Sequence, residues 1–485
     1  MANRFWAWFS AAMTGSAACA TVAGCGGDET ASATCPEGNL VRGVCAGVPA
    51  GEVCAGETCT EGAACTSVVD VTSEDELAAA AEAAAAGTCI ALREGRYGVL
   101  SVPGGVSLLG RSAAAVEVQG VVLAAGEGAV VRGLTVGREG VSVQGATGVR
   151  IDSVRVVGER GHERPGVEIR PGSSIAIVDS EIIDSGHVGV FAVDADVTLE
   201  RSVVAGAQRG GIVIQGQGCD QESCACASRP ALEVKSSVIR SNHIIGVSLR
   251  GATASLVDVD VTDSREGDAV ESGGFGGGIS VAECSSVLGA TKVRVLDSRS
   301  FGILVDHSTA ALGDEGEDES IEISRNTRGL WIQNVCQTGG AGCVTLHNGK
   351  LDGNFGVGIG ITGSSRSIIL CKSAVTSTQL EWLPVFNGSG EPAIDNVGDG
   401  IDWLDGSEVT LEQLTLSGNT RQSLLIDGPA SGRIWKLDVT GDAAKPPVQQ
   451  NFTMGERPEA EDTMPTVPER AFPIPQSPAA LSSPE

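Results

Sequence analysis

One short pattern recurs along this chain: a glycine, an apolar residue, any residue, and a second apolar residue. It reads GVSV at 140, GVEI at 166, GVFAV at 189, GIVI at 211, GVSL at 246, GISV at 278 and GILV at 302. It continues as GLWI at 329, GIGI at 358, GIDW at 400, and SLLI at 423 with serine in place of glycine. The shorter intervals cluster near 23 residues, and the longer ones, such as that from 358 to 400, have the form of the same unit with an inserted loop. A period of this size is the signature of a solenoid, in which each unit buries its apolar face only by stacking on its neighbours.

The units contain further alternating runs. Val149, Ile151, Val154 and Val156 follow the run at 140, and Val197, Leu199 and Val203 follow the run at 189. Alternation with period two is strand geometry, one side chain inward and the next outward. No unit has room for a ten-residue helix beside these strands, and the fixed leucine scaffold of leucine-rich repeats is absent. Three short strands per turn therefore coil into a parallel β-helix, where every strand pairs with the coil above and below. The 67 glycines suit the tight corners such a coil needs. Charge narrows the functions: 33 basic against 61 acidic residues give a net −28, which excludes nucleic-acid binding through a basic surface.

The opening of the repeat region reads TSEDELAAAAEAAAAGTCIALREGRYGVLSVPGGVSLLGR. Ser73 is an N-cap with Glu76 three residues on, the capping-box spacing, and the alanine run predicts a helix over 73–86 ending at Gly87. An alanine-rich helix, a strand, a glycine–tyrosine turn and a GVxLxG strand in this order resemble the opening of the right-handed parallel β-helix superfamily of pectate-lyase-like shape. The resemblance covers roughly 70–440 and implies an all-β fold, a single-stranded right-handed parallel β-helix solenoid with an N-terminal capping helix that blocks the open end of the stack.

Outside the repeats the chain changes character. Arg4, the apolar stretch Phe5 to Met13 and small residues to Gly24 form a signal-peptide layout over 1–24. Val22, Ala23, Gly24 and Cys25 resemble a bacterial lipobox, which implies cleavage before Cys25 and lipidation of its thiol. Residues 25–34 read as a tether. Such a protein is exported and membrane-anchored in the bacterial cell envelope, at the outer membrane or cell surface, its lipid at Cys25 being its membrane partner. Residues 35–69 are cysteine-rich, and Cys35, Cys45, Cys54, Cys59, Cys65 and Cys89 are expected to form three bridges of open connectivity. In the rod, Cys336 and Cys343 are expected to close a local loop, and Cys219, Cys224, Cys226 and Cys284 to supply two bridges. Cys371 is the expected buried free thiol. Residues 441–485 are proline-rich and read as an extended tail.

Chemistry-bearing residues fall in three groups. Polygalacturonase-type motifs are broken: His187 is followed by Val188 where a glycine belongs, Asn326–Thr327 runs into Arg328 where a carboxylate belongs, and no adjacent aspartates occur. Lyases of this shape use a calcium-binding carboxylate cluster with a basic residue. Asp258 and Asp260 alternate with valines and so point outward from one strand, with Asp263, Arg265 and Asp268 in the loop beyond. Asp258, Asp260, Arg265 and His187 are the candidate catalytic residues, and Asp258, Asp260 and Asp263 the candidate calcium ligands; without lyase chemistry no cofactor is expected. A second group is a column of His162, His187, Arg209 and His243 on the corner before the repeat strands. The third is the outward side of those strands, where Phe191, Val213, Leu304 and Trp331 are apolar with Arg170, Gln215, Arg250, Asp306 and Gln333 beside them. An aromatic flanked by such groups can stack on and hydrogen-bond a sugar ring, so Arg170, Phe191, Gln215, Arg250, Asp306, Trp331 and Gln333 are the candidate ligand residues. The reading favoured is an exported β-helix presenting a surface for glycan or partner binding, or serving a structural role. The alternative is a carbohydrate-active enzyme, a polysaccharide lyase before a glycoside hydrolase.

Overall fold

The structure, a computed structural model, describes residues 65–440 except 220–223, 225, 268–275, 317–320, 337–342, 364, 387–391 and 429–430. It also describes short strands at 40–41, 44–45, 448–451, 459–460 and 474–475. The signal peptide, Cys25, the tether, Asp268 and most of the cysteine-rich segment lie outside the described residues.

The chain winds as a right-handed parallel β-helix with three strands per coil, as its repeat requires. One sheet starts at Ser67–Val71 and passes through Thr88–Leu92, Ser107–Gly110 and their successors to Ser431–Trp435. A second contains Arg155–Val157, Glu181–Ile183, Val203–Ala205 and their successors to Asp438–Thr440. The third carries the glycine repeat. Its inward residues Val141, Val167, Val190, Ile212, Val247, Ile279, Ile303, Leu330, Ile359, Ile401 and Leu424 are in register from coil to coil. All belong to one continuous buried column of aliphatic side chains. The ladders begin before and continue beyond the eleven runs: Val121 pairs with both Leu100 and Val141, and Leu424 with Val448. Glu459–Ala460 pairs in turn with Arg433 and Ile434, so strands of the coil reach into the proline-rich segment.

The repeat glycine is there for space. At Gly246 a Cβ would lie 2.5 Å from the Val261 side chain and 2.7 Å from the Gly278 carbonyl; Gly302 meets Ile323 and the Gly329 carbonyl in the same way. Such a glycine therefore lies against the next coil, meeting the last inward side chain before that coil's own glycine and the backbone there, as also at 166, 189, 211, 278 and 358; at 329 and 400 the side chain met is a corner asparagine. Apart from Gly140, whose φ is +68°, left-handed backbone falls instead at the corner residues, among them Ser153, Asp179, Arg201 and Asp258 between the first and second sheets, and Ser241, Asp263, Asp297 and Arg325 between the second and third.

Behind these corners run ladders of buried small polar side chains. Ser180 and Ser202 accept from the backbone N–H groups of Val154 and Ser180, and Ser237 from that of Ser202, each at 3.1 Å. At the next corner Asn326 Oδ1 accepts from the Ser298 N–H at 2.9 Å, and Asn354 Oδ1 from the Asn326 N–H at 3.0 Å. Asn242 and Asn419 play the same part for Ala207 and Thr378. A corner residue turned away from the ladders would otherwise leave a buried N–H unpaired, which is the role these side chains fill.

The N-terminal helix spans Glu74–Ala83. Ser73 is its N-cap, accepting from the Glu76 N–H, and Glu76 reaches back to the N–H and hydroxyl of Thr72 rather than to Ser73. The helix ends earlier than its alanine run suggests. Thr88–Leu92 must lie beside Ser67–Val71, so Ala84 already turns to extended backbone. Leu77, Ala80 and Ala81 are buried in the same column as Val71 and Ile90. Cys65–Cys89 bridges this first coil; Cys219–Cys226, Cys224–Cys284 and Cys336–Cys343 are the other described bridges, and Cys371 is free and buried, as expected. No helix among the described residues is long and apolar enough to cross a membrane.

Candidate functional site

The outward row of the third sheet runs, in register, through Glu168, Phe191, Val213, Ser248, Ser280, Leu304, Trp331, Gly360, Asp402 and Leu425. Its two halves differ. Glu168, Phe191, Val213 and Ser248 are half-buried, whereas the row is buried from Ser280 onward. Trp331, expected to face solvent, has 0% of its surface exposed and Leu304 only 2%. Both belong to a second apolar cluster outside the sheet, with Ile245, Phe301, Val357 and Val397. Val397 stands at the foot of a hairpin, Glu381–Phe386 against Pro392–Trp403, which fills the long interval before Gly400. The hairpin is extended by Ile474–Pro475, paired antiparallel to Val385 and Phe386. The expectation of one open groove along the whole row is thereby corrected: insertion and apolar packing close its C-terminal half.

The flanking polar residues divide in the same way. Arg170 is exposed and pairs with Glu168 at 3.3 Å, on the strand next to Phe191. Gln215 is half-buried beside Val213. Arg250 is largely buried, with Glu283 at 3.3 Å. Asp306 accepts from Asn334 Nδ2 at 3.0 Å and lies 2.8 Å from His307 Nδ1, while Gln333 is buried. The geometry thus gathers Arg170, Phe191 and Gln215 on the accessible half, and leaves Asp306, Trp331 and Gln333 on the closed half.

The corner column forms beside the accessible half. Gly186 fits directly over the His162 carbonyl, and the Arg209 N–H donates to the His187 carbonyl at 2.9 Å. His162 Nε2 is 3.6 Å from Glu139, and His243 Nδ1 is 2.9 Å from the Glu266 carbonyl. His187 is half-buried, its Nδ1 buried without a partner. Burial, reinforced by the Arg209 charge and opposed by Glu163, holds its pKa below the ordinary histidine range, so the ring is neutral at pH 7.

The aspartates expected on one outward strand are separated by a corner. Val257 is exposed, Asp258 has φ +60°, and alternation restarts with Val259 and Val261 inward. Asp260 is 8% exposed and is gripped by the Arg294 guanidinium of the next coil, Nε donating at 2.7 Å. That contact holds Arg294 above the usual arginine range. Asp263 accepts from Arg265 Nε and from the Ser241 hydroxyl, each at 2.9 Å. Asp258, Asp260 and Asp263 thus do not converge as a calcium site requires, and among the described residues no three metal-ligating side chains gather.

A carboxylate pair that sequence reasoning missed lies on the closed half. Asp399 is fully buried, bound by Arg421 through Nε at 2.8 Å and through Nη2, and by the Gln422 N–H at 3.0 Å. Asp402, three residues on, is equally buried and shares a side-chain hydrogen bond with Asp399. Burial first, then the negative charge of Asp399, pushes its pKa well above the carboxylate range against the opposing Arg421. Two carboxylates this close and this dry cannot both ionise, so Asp402 keeps its proton. The available signal was the i, i+3 spacing within GDGIDW together with the register that places Asp402 on the Trp331 row.

No protein-family model matches the chain, and no curated protein matches it. Among solved structures it is similar to the mannuronan C-5 epimerase AlgE4 A-module of Azotobacter vinelandii, at 15% identity over 80% of this chain and 96% of that one, with a TM-score of 0.39. It is also similar to the catalytic unit of a GH87 α-1,3-glucanase from Streptomyces thermodiastaticus, at 12% identity, 83% and 67% coverage, TM-score 0.37. A third is the PL6 family alginate lyase AlyGC, at 12% identity, 81% and 75% coverage, TM-score 0.30. Likeness at this level assigns no residue a role, and the β-helix stands on this chain's own strand register.

Proposed function

We propose that the chain is an exported, lipid-anchored β-helix whose third sheet presents a glycan-binding surface on its accessible half. The observation that carries this reading is the row Glu168–Phe191–Val213–Ser248. There an aromatic and an aliphatic side chain stay partly exposed on a sheet face otherwise lined by Arg170, Gln215 and the His162–His187–Arg209 corner. An apolar platform edged by donors and acceptors suits a sugar ring, which offers a C–H face and a rim of hydroxyls. The acidic net charge favours a neutral glycan over a polyanionic one. Four described disulfides support an oxidising compartment, and the VAGC run at 22–25 supports lipid attachment at Cys25 with the membrane as partner.

Two experiments test the reading. The secreted chain is applied to a glycan array and each hit is followed for turnover. Binding without product formation, weakened tenfold or more by Phe191→Ala, is the expected result; product formation would replace it with the enzyme reading. Separately, Cys25→Ala should abolish palmitate labelling and release the protein from the membrane fraction. Unchanged labelling would refute the anchor.

A further inference from the structure

The strand Pro392–Trp403 leaves the hairpin and re-enters the coil with two carboxyl groups, Asp399 and Asp402, both 0% exposed and joined by a side-chain hydrogen bond. One cation serves both. Arg421, at the corner of the next coil, donates to Asp399 through Nε at 2.8 Å and through Nη2. The other charged groups nearby are an anion or are already matched. Asp427, on the strand Leu424–Asp427, adds negative charge at Asp402, while Glu381, on the first hairpin strand, faces Arg328. Two carboxyls and one guanidinium are neutral together only while one proton stays between the carboxyls. Removing that proton leaves a net negative charge in a dry site.

The pair sits where the insertion meets the rod. On one side Val397, just before Asp399, is packed in the cluster of Trp331, Leu304 and Phe301. On the other, the Arg421 N–H donates to the Gly398 carbonyl at 2.9 Å, the Gln422 N–H to Asp399 Oδ1 at 3.0 Å, and the Gly400 N–H to the Gln422 carbonyl at 2.7 Å. The carboxyls thus fasten the foot of the hairpin to the coil beyond it, and that foot helps to close the row over Trp331. We propose that the Asp399–Asp402 pair is a proton-operated latch: while one proton lies between the carboxyls the foot stays docked, and loss of that proton releases it and uncovers the Trp331 cluster. The direction follows from linkage. Asp402 holds its proton more tightly when buried than when free, so the latch is strongest below about pH 4, where a free aspartic acid is protonated, and weakens as pH rises toward the folded value. A single proton changes the opening equilibrium by at most about tenfold per pH unit. The latch is independent of what the Phe191 row binds.

The test is amide hydrogen exchange of the intact secreted chain at pH 5, 7 and 9, with rates corrected for their intrinsic pH dependence and the first coils as internal reference. Peptides spanning 356–362 and 392–403 should lose protection relative to the reference coils as pH rises, by up to about tenfold per pH unit. Asp402→Asn keeps a hydrogen bond to Asp399 but has no proton to lose, and should abolish that fall; Glu381→Gln should leave it in place. A fall that persists in Asp402→Asn, or that Glu381→Gln removes instead, overturns the latch. Infrared spectra of the wild type give a second reading that needs no variant to fold. The band of a buried protonated carboxyl should be present at pH 7 and disappear over the range in which protection falls. Absence of that band at pH 7, or protection that does not change with pH, overturns the proposal and leaves the glycan reading of the Phe191 row standing.

Discussion

Asn326→Ala probes the corner ladder. Asn326 Oδ1 accepts from the Ser298 N–H at 2.9 Å, and Nδ2 donates to the Val295 carbonyl at 3.0 Å and to Asn354 Oδ1 at 3.2 Å. The side chain is fully buried, so water cannot replace it at the corner. Truncation strands one N–H and one carbonyl in the interior, each at roughly 1–3 kcal/mol, while the Asn354 oxygen keeps the Asn326 N–H. The expected loss is therefore about 2–6 kcal/mol. Asn326→Asp should lose a similar amount, because a carboxylate still accepts from Ser298 but cannot donate to Val295. Solenoids need not unfold in one step, so amide exchange is the better assay than a single melting curve. Protection should fall most in the coils containing Ser298, Asn326 and Asn354, with the first coils unchanged. A loss under about 1 kcal/mol, or one spread evenly along the rod, would refute the ladder as the corner's source of stability.

Two further perturbations test the packing and the histidine corner. Gly246→Ala forces a methyl against Val261 and the Gly278 carbonyl and should lower stability by about 1–3 kcal/mol by chemical denaturation, whereas Gly128→Ala, at a site with nothing within 4 Å, should show only the milder strain of its positive φ. His187 has a folded pKa below its unfolded value, so its contribution is present above about pH 6.5 and is lost as pH falls toward the folded value. Stability of wild type should fall over that window, and His187→Gln should flatten the fall; an unchanged slope would show that the ring is not held neutral.

The third sheet was legible almost residue for residue, because its glycine has a steric job in most coils and its inward partners recur at fixed offsets. GVVL at 120 fits the pattern and was overlooked. The coil before it could not be found this way, since Val99 occupies the glycine position. Asp258 and Asp260 were misread for a different reason. One left-handed residue turns the chain without interrupting the alternation of valine and aspartate, so a period-two pattern runs straight through a corner. Trp331 was rightly placed on the outward side, but outward does not mean exposed. The long interval before Gly400 announced an insertion, and only the folded path showed its foot, Val397, packed in the Trp331 cluster. Asp399 and Arg421 lie 22 residues apart, and nothing local announces a pair joined only by coil stacking.

The central claim is that successive repeats stack in register as one rod, and distances between spin labels test it most directly. One outward row of the first sheet passes through Glu233, Ser255 and Gly289 and, across a register shift, through Ala311, Thr345, Ile369, Thr410 and Arg433. In a Cys371→Ser background, labels at 233 and 345 stand four coils apart and those at 233 and 433 seven coils apart. At about 4.8 Å per coil the backbone separations are about 19 and about 34 Å, growing in proportion to the number of coils. Distances that follow this proportion, within the reach of the label linkers, are the predicted result. A 233–433 distance no longer than the 233–345 distance would mean that the chain folds back into lobes, and would contradict the stacked coil.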